Sequence, residues 1–178
     1  MASTNNRLST PLRPGVPTRP GRYASIRFHC SSVRLRLLKS TGRGAVILPH
    51  GVLFRGNAEA DIRRNLVRQG YIKGIIGLPA NLFYGTGIPA CIIVIDKSTA
   101  GPERPIFMID ASKGFVKDGN KNRLRAQDIH KIVDVFNRQL VVDRYSRLVP
   151  YDEIAKKNDF NLNNLRRCHR PANRLAQR

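Results

Sequence analysis

The chain has 178 residues, 41% of them hydrophobic, and sets 32 Lys and Arg against 12 Asp and Glu, for a formal charge of +20. That length suits one domain with its own core rather than two. No apolar run approaches the roughly 20 residues of a membrane span, and no apolar core follows the basic N-terminus, so neither a membrane partner nor a secretory signal is expected. Cys30, Cys91 and Cys168 are odd in number and far apart, which provides neither a disulfide framework nor a C-x-x-C zinc pair and points to a reducing, cytoplasmic home.

The charge invites a polyanion partner, because Lys and Arg release counterions from phosphates. Its distribution is uneven. Residues 1–58 carry ten Lys and Arg and no acid, and 161–178 carry five and none, whereas 59–160 carry seventeen against all twelve acids. A groove built for DNA would place basic residues among the folded elements; here the excess lies in the flanks.

Residues 1–22 hold four prolines and, after the initiator, only three of Val, Leu or Met, too little apolar surface to offset ordering, and are expected to be disordered. Residues 23–39 (YASIRFHCSSVRLRLLK) fit neither the helical nor the strand period. At Gly42 the pattern changes. The run Ala45-Val-Ile-Leu48, stopped by Pro49 and Gly51, predicts a buried parallel strand. Asn57 is placed to cap a helix with Ile62, Leu66 and Val67 on one face, Glu59 and Asp61 in its first turn and Gly70 as its stop. Strands are predicted at 71–78 (YIKGIIGL), 91–96 (CIIVID) and 105–110 (PIFMID). An amphipathic helix follows over 126–139 with Ile129, Ile132, Val133 and Phe136 inward. Residues 145–149 (YSRLV) suit a short strand before a PYDEI turn.

Between the second and third of these strands lies Gly85-Thr-Gly-Ile-Pro-Ala90, which on paper matches the G-x-G-x-x-A of a dinucleotide loop. That fingerprint needs a strand before it and a helix opening at its end, so that phosphate meets free helix N–H groups. CIIVID is β-rich and stiff at χ1, and Pro89 lacks an N–H. The stretch is read instead as a connection between antiparallel strands. At eleven residues from Pro79 to Pro89 it exceeds the two to five of a plain hairpin, and long loops with aromatic residues often serve a site.

The segments LPHGVLFRGNAEADIRRNLV, IIGLPANLFYGTGIPACIIVIDK, IFMIDASKGF, KNRLRAQDIHKIV and YDEIAKKNDFNLN together resemble the modification subunit of type I restriction-modification systems, an adenine-N6 DNA methyltransferase family. The resemblance covers residues 42–163. It implies a partial Rossmann-like, S-adenosylmethionine-dependent methyltransferase sheet, α/β in class, with Ala45–Leu48, Ile75–Leu78 and Ile92–Ile95 as its fifth, sixth and antiparallel seventh strands. By resemblance, methyl transfer from S-adenosylmethionine to adenine N6 is carried out with specificity and restriction subunits on DNA.

Two motifs of that family's chemistry are missing from the sequence. One is the Gly-rich D-P-x-x-G-x-G loop; the other is N-P-P-[FY], whose Asn and aromatic hold the flipped adenine. This chain is therefore expected to bind no cofactor and transfer no methyl group alone; it reads first as the remnant of a truncated gene whose middle is genuine, with a fragment active only beside a complementary methyltransferase half as an alternative. Its flanks, RPGRYASIRFHCSSVRLRLL and NLRRCHRPANRLAQR, read like out-of-frame translation joined to a genuine middle. The organisation expected is a basic segment over 1–41, the later half of a methyltransferase domain over 42–110, a helical extension over 111–163 and a disordered basic tail over 164–178.

No residue earns a catalytic, cofactor or metal assignment. Pro49, His50, Phe83 and Tyr84 are the candidates for an active-site rim, since aromatic residues stack on bases. The competing reading of Phe83 and Tyr84 is that they anchor their loop to the core, and that of His50 a structural role in its turn. Asp110 suits a turn cap, Cys91 a buried and inert thiol, and His130, beside Asp128, a solvated position. The rival functional reading is a basic, non-enzymatic nucleic-acid-binding protein.

Overall fold

The computed structural model describes residues 38–163; the expectations for the two basic flanks, for Cys30 and Cys168, and for 23–37 lie outside the described residues. Within this span, β1 (Arg43–Pro49), β2 (Ile72–Gly77), β3 (Ala90–Asp96), β4 (Ile106–Asp110) and β7 (Ser146–Val149) form one sheet in the order β1-β3-β2-β4-β7. A separate hairpin pairs β5 (Val116–Asp118) with β6 (Lys121–Arg123). The helices are α1 (Ala58–Arg68) and α2 (Ala126–Arg138), with a 3-10 turn at His50–Leu53 and a π-helical turn at Glu153–Lys157.

β3 runs antiparallel to both β1 and β2, while β2 and β4 are parallel and β4 and β7 antiparallel. Along β3 successive side chains point to opposite faces. Cys91, Ile93 and Ile95 join Leu66 and Val67 of α1, whereas Ile92 and Val94 pack on the other face with the cluster that holds Ile132 and Val135 of α2. Each helix thus covers one side of the sheet. The sheet continues beyond Asp110, because β7, in the segment that also holds α2, pairs with β4 from Ile106↔Val149 to Ile109↔Ser146.

Three local expectations are corrected. The apolar run in β1 is not a buried parallel strand: among the described strands it pairs with β3 alone, antiparallel, and Ile47 is 55% exposed. The reason is coverage. Leu48 and Val46 meet the α1 side, but the α2-side cluster contains no β1 residue. Asn57 does not cap α1 with its side chain; it adopts φ +58°, and its carbonyl accepts the Ala60 N–H at 2.9 Å. At the other end Gly70 does stop the helix, with φ +65° and a carbonyl, that of Gly101, 1.9 Å from where a Cβ would stand.

The third correction is the inner face of α2. Ile132 and Val135 are buried and Phe136 partly so, but Ile129 and Val133 are about half exposed. Ile132 and Val135, three residues apart, centre the buried face, which leaves Val133 well round the helix from it. Phe136 flanks that face: its ring lies edge-on to Phe107 at 6.2 Å and occupies the space over Gly74, where a Cβ would come within 2.6 Å of it.

Two polar residues fix the ends of the structure. Arg63 of α1, 3% exposed, donates from Nε to the Phe160 carbonyl at 2.8 Å and from Nη1 to those of Val52 at 2.8 Å and Arg55 at 3.0 Å. It clamps the turn after β1 and the returning C-terminal segment to one helix, and the Leu162 N–H adds a bond to the Leu53 carbonyl at 2.9 Å. Asp96, 1% exposed at the end of β3, faces Arg43 Nε at 3.2 Å and Lys73 Nζ at 3.6 Å and accepts the Ser98 amide at 3.0 Å. Burial alone would raise its pKa; the Ser98 hydroxyl and amide with the two cations outweigh that and lower it to about 2.

Arg63→Met should lower stability by about 3 kcal/mol, because three buried carbonyls lose their donor; urea denaturation measures it, and an unchanged midpoint would show that the clamp is dispensable. Because its folded pKa lies below the ordinary value of 3.8, Asp96 contributes stability above pH ~4 that is lost as the pH falls toward ~2, about 2 kcal/mol in all. Unfolding curves across that window should be correspondingly flatter for Asp96→Asn than for the parent.

Candidate functional site

Because β1, β2 and β4 share a direction, their carboxyl ends lie along one edge of the sheet, the usual position of ligand crevices in open α/β sheets. A cleft of about 310 Å³ opens there. His50 enters it from the turn after β1, Gly77 and Leu78 from the end of β2, and Asp110 from the end of β4. Ala80 and Pro89 come from the two ends of the β2–β3 connection, and Ser112, Phe115 and Asn122 from beyond β4. The Pro89 carbonyl accepts the His50 N–H at 2.9 Å, so the two loops that flank the cleft are tied together.

Of the four rim candidates, His50 alone lines the cleft. Its ring also stands edge-on to Phe54 at 6.3 Å. Pro49 ends β1 opposite Ala90 and starts the 3-10 turn that carries His50. Phe83 and Tyr84 sit further out in the connection, 37% and 93% exposed. They do not anchor their loop: Leu82, packed on the α2-side core, does. The GTGIPA stretch opens no helix and runs into β3 at Ala90, as its chemistry demanded.

Asp110 caps its turn by accepting the Ser112 N–H at 3.0 Å and borders a second cavity of about 190 Å³. Lys113, Asp128, Lys131, Arg144 and Tyr145 also line that cavity. Burial, with Asp128 and Asp110 nearby, pushes the Tyr145 hydroxyl up to about 12, and the Lys131 ammonium stands 4.2 Å over its ring. Asp128 is bound by Arg125 in a capping box at the start of α2, while His130 is exposed. Cys91 is fully buried and its thiol is pushed up to about 12 by burial, which leaves it no thiolate at neutral pH. Among the described residues no cluster of His, Cys, Asp or Glu could hold a metal ion, and no helix is long and apolar enough to cross a membrane.

The sequence reading missed Ser112, Phe115, Lys121 and Asn122. Asn122 Nδ2 donates to the Ala80 carbonyl at 2.7 Å, and Lys121 Nζ donates to that of Phe83 at 2.6 Å. One signal was available: Gly119-Asn120 is a two-residue hairpin loop with Gly first, and Gly119 takes φ +60° between β5 and β6. The arrangement combines apolar surface from Leu78, Pro89 and Phe115 with polar groups of His50, Asp110, Ser112 and Asn122. It can receive a small, partly planar and polar group.

Comparison with known proteins identifies the family. A family model described as N-6 DNA Methylase matches residues 16–174, reaching beyond the 42–163 span carried by the motifs. The MpnII type I restriction enzyme methylase subunit of Mycoplasma pneumoniae is 37% identical over 124 residues, 70% of this chain and 23% of its own length. The MjaVII methylase subunit of Methanocaldococcus jannaschii is 36% identical over 135 residues, 74% of this chain and 23% of its own. The crystal structure of a type I restriction-modification methyltransferase subunit from Streptococcus thermophilus superposes with a TM-score of 0.68 at 42% identity, covering 72% of this chain and 27% of that one. The chain thus spans about a quarter of the length of the relatives it matches. With the sheet order, the cleft and the family match in agreement, the chain belongs to the N-6 DNA methylase family, alongside the methylase subunits of type I restriction enzymes.

Proposed function

We propose that this chain supplies one wall of the target-base site in an adenine-N6 DNA methyltransferase subunit of a type I restriction-modification system, and that it acts only with a polypeptide carrying the rest of the sheet. The observation that carries the reading is the cleft at the carboxyl ends of β1, β2 and β4, bordered by the connection that bears Phe83 and Tyr84. His50, Asp110, Ser112 and Asn122 would bind and orient an extruded base, with Pro49, Phe83 and Tyr84 on the rim. The partners are DNA, the specificity and restriction subunits, and the complementary methyltransferase fragment. The outer strand β1, with Ile47 55% exposed, suits pairing with that fragment.

S-adenosylmethionine, when bound, supplies the methyl group. The residues present do not fit its cradle. Close approach of a ligand to backbone needs an open glycine loop at a helix start. Here no run of glycines opens a helix: Gly56, two residues before α1, is open but stands alone, Gly85 is open but leads into β3, the side chain of Arg55 stands over Gly51 with Nε 2.8 Å from a Cβ position, and Asn81 Oδ1 stands 2.9 Å from that of Gly87. The cofactor therefore comes with the partner polypeptide, and the N-P-P-[FY] groups come with it too.

The charge of +20, concentrated in the flanks, favours the second reading, a basic non-enzymatic nucleic-acid binder. Co-expression with a half-subunit that carries the Gly-rich and N-P-P-[FY] motifs separates the two. Adenine-N6 methylation of plasmid DNA should rise only when both polypeptides are present. No methylation in the pair, together with DNA binding that falls steeply with salt and survives deletion of residues 42–160, would establish the non-enzymatic reading instead.

A further inference from the structure

We propose that the β5–β6 hairpin is a brace that sets the β2–β3 connection at the mouth of the cleft, with Lys121 and Asn122 as positioning residues for Phe83 and Tyr84. The inference rests on the reading of the cleft given above. The connection is long and solvated: residues 83–88 are all exposed. Segments of that kind, with few buried contacts, lie at the low-stability end of a fold. Its apolar foot is Leu82. That contact provides adhesion and little direction, since apolar contact is non-directional.

Direction comes from β6. The Asn122 side-chain amide donates to the Ala80 carbonyl at 2.7 Å, the Asn122 N–H donates to that of Asn81 at 2.9 Å, and the Lys121 ammonium donates to that of Phe83 at 2.6 Å. Three carbonyls within four residues are thereby held to one short strand. The same ammonium stands 4.5 Å from the centre of the Tyr84 ring, an electrostatic contact that leaves the aromatic 93% exposed. Asn122 also lines the cleft, so one residue joins the wall of the site to the loop that overhangs it. The brace is shaped by the turn at Gly119, and an exposed Arg123–Asp118 ion pair at 3.1 Å runs diagonally between its strands.

The full chain contains no tryptophan, so Tyr84→Trp creates a single-tryptophan reporter that retains the cation–π contact. In that background, Lys121→Met and Asn122→Ala should each lower the fluorescence anisotropy of the indole, Lys121→Arg should restore it, and Lys117→Met on the neighbouring strand should leave it unchanged. Amide exchange of β2 and β3 should be the same in every variant, as the brace contributes to neither strand. In the Tyr84 parent, affinity for a single-stranded adenine-containing oligonucleotide should fall about 3- to 10-fold with Asn122→Ala. That variant removes no charge, so the loss is not one of long-range attraction to the polyanion. Anisotropy unchanged in both Lys121→Met and Asn122→Ala, with the sheet intact, would overturn the proposal. Failure of the parent to bind the oligonucleotide would instead count against the reading of the cleft, while the anisotropy still decides the brace.

Discussion

The reversed direction of β3 is the constraint on which the rest of the structure depends. It lies between β1 and β2 and runs against both, so β1, β2 and β4 end at one edge while β3 begins there. The connection into β3 must therefore leave and return at that edge, beside the turn after β1. His50 and Pro89 meet for this reason, and the cleft forms between them. At the opposite edge the same reversal brings the end of β3 to the starts of β1 and β2, where Asp96 finds Arg43 and Lys73. A parallel β3 would place Asp96 among the cleft residues and leave both cations without it.

Local pattern made most of the sheet legible. CIIVID and PIFMID could only be strands, and the β-rich run after GTGIPA excluded a phosphate-binding helix before any coordinates. What local pattern could not supply was coverage. Four apolar residues in a row describe a strand that can be buried on two faces; whether it is depends on where α2 lies, and α2 is placed by Phe136 over Gly74. The inner face of α2 is likewise centred on Ile132 and Val135 rather than on Val133, a choice between two neighbouring apolar stripes that only the packed sheet makes. His50 was legible as a cleft residue because it follows a strand end. Lys121 and Asn122 were not, because their partners lie 38 and 42 residues away and nothing in a sequence window links them.

Charge divides along the same lines. In the described region many basic side chains are matched: Arg64 with Asp61 and Asp159, Arg125 with Asp128, Arg138 with Asp134, Arg147 with Glu153 and Lys156 with Asp152. Most of these pairs are exposed and contribute little to stability. The folded region, residues 38–163, holds 20 Lys and Arg against 12 Asp and Glu, a net +8 of the chain's +20, so most of the excess positive charge lies outside it and long-range attraction to a polyanion is not centred on the cleft. Affinity that comes from the flanks and selectivity that comes from the cleft are then separable properties, the first sensitive to salt and the second to the geometry of a few side chains.

That geometry has an unusual distribution of tasks. Leu82 holds the overhanging loop by burial, but a single apolar foot leaves the loop free to pivot, and its tip carries the two aromatic residues that matter most. Hydrogen bonds to the carbonyls of Ala80, Asn81 and Phe83 remove the pivot, because each bond is directional where burial is not. An apolar brace would have needed a larger buried area at the mouth of the cleft and would have closed it. A polar brace holds the loop from the side and keeps the opening clear, in keeping with the base site proposed above.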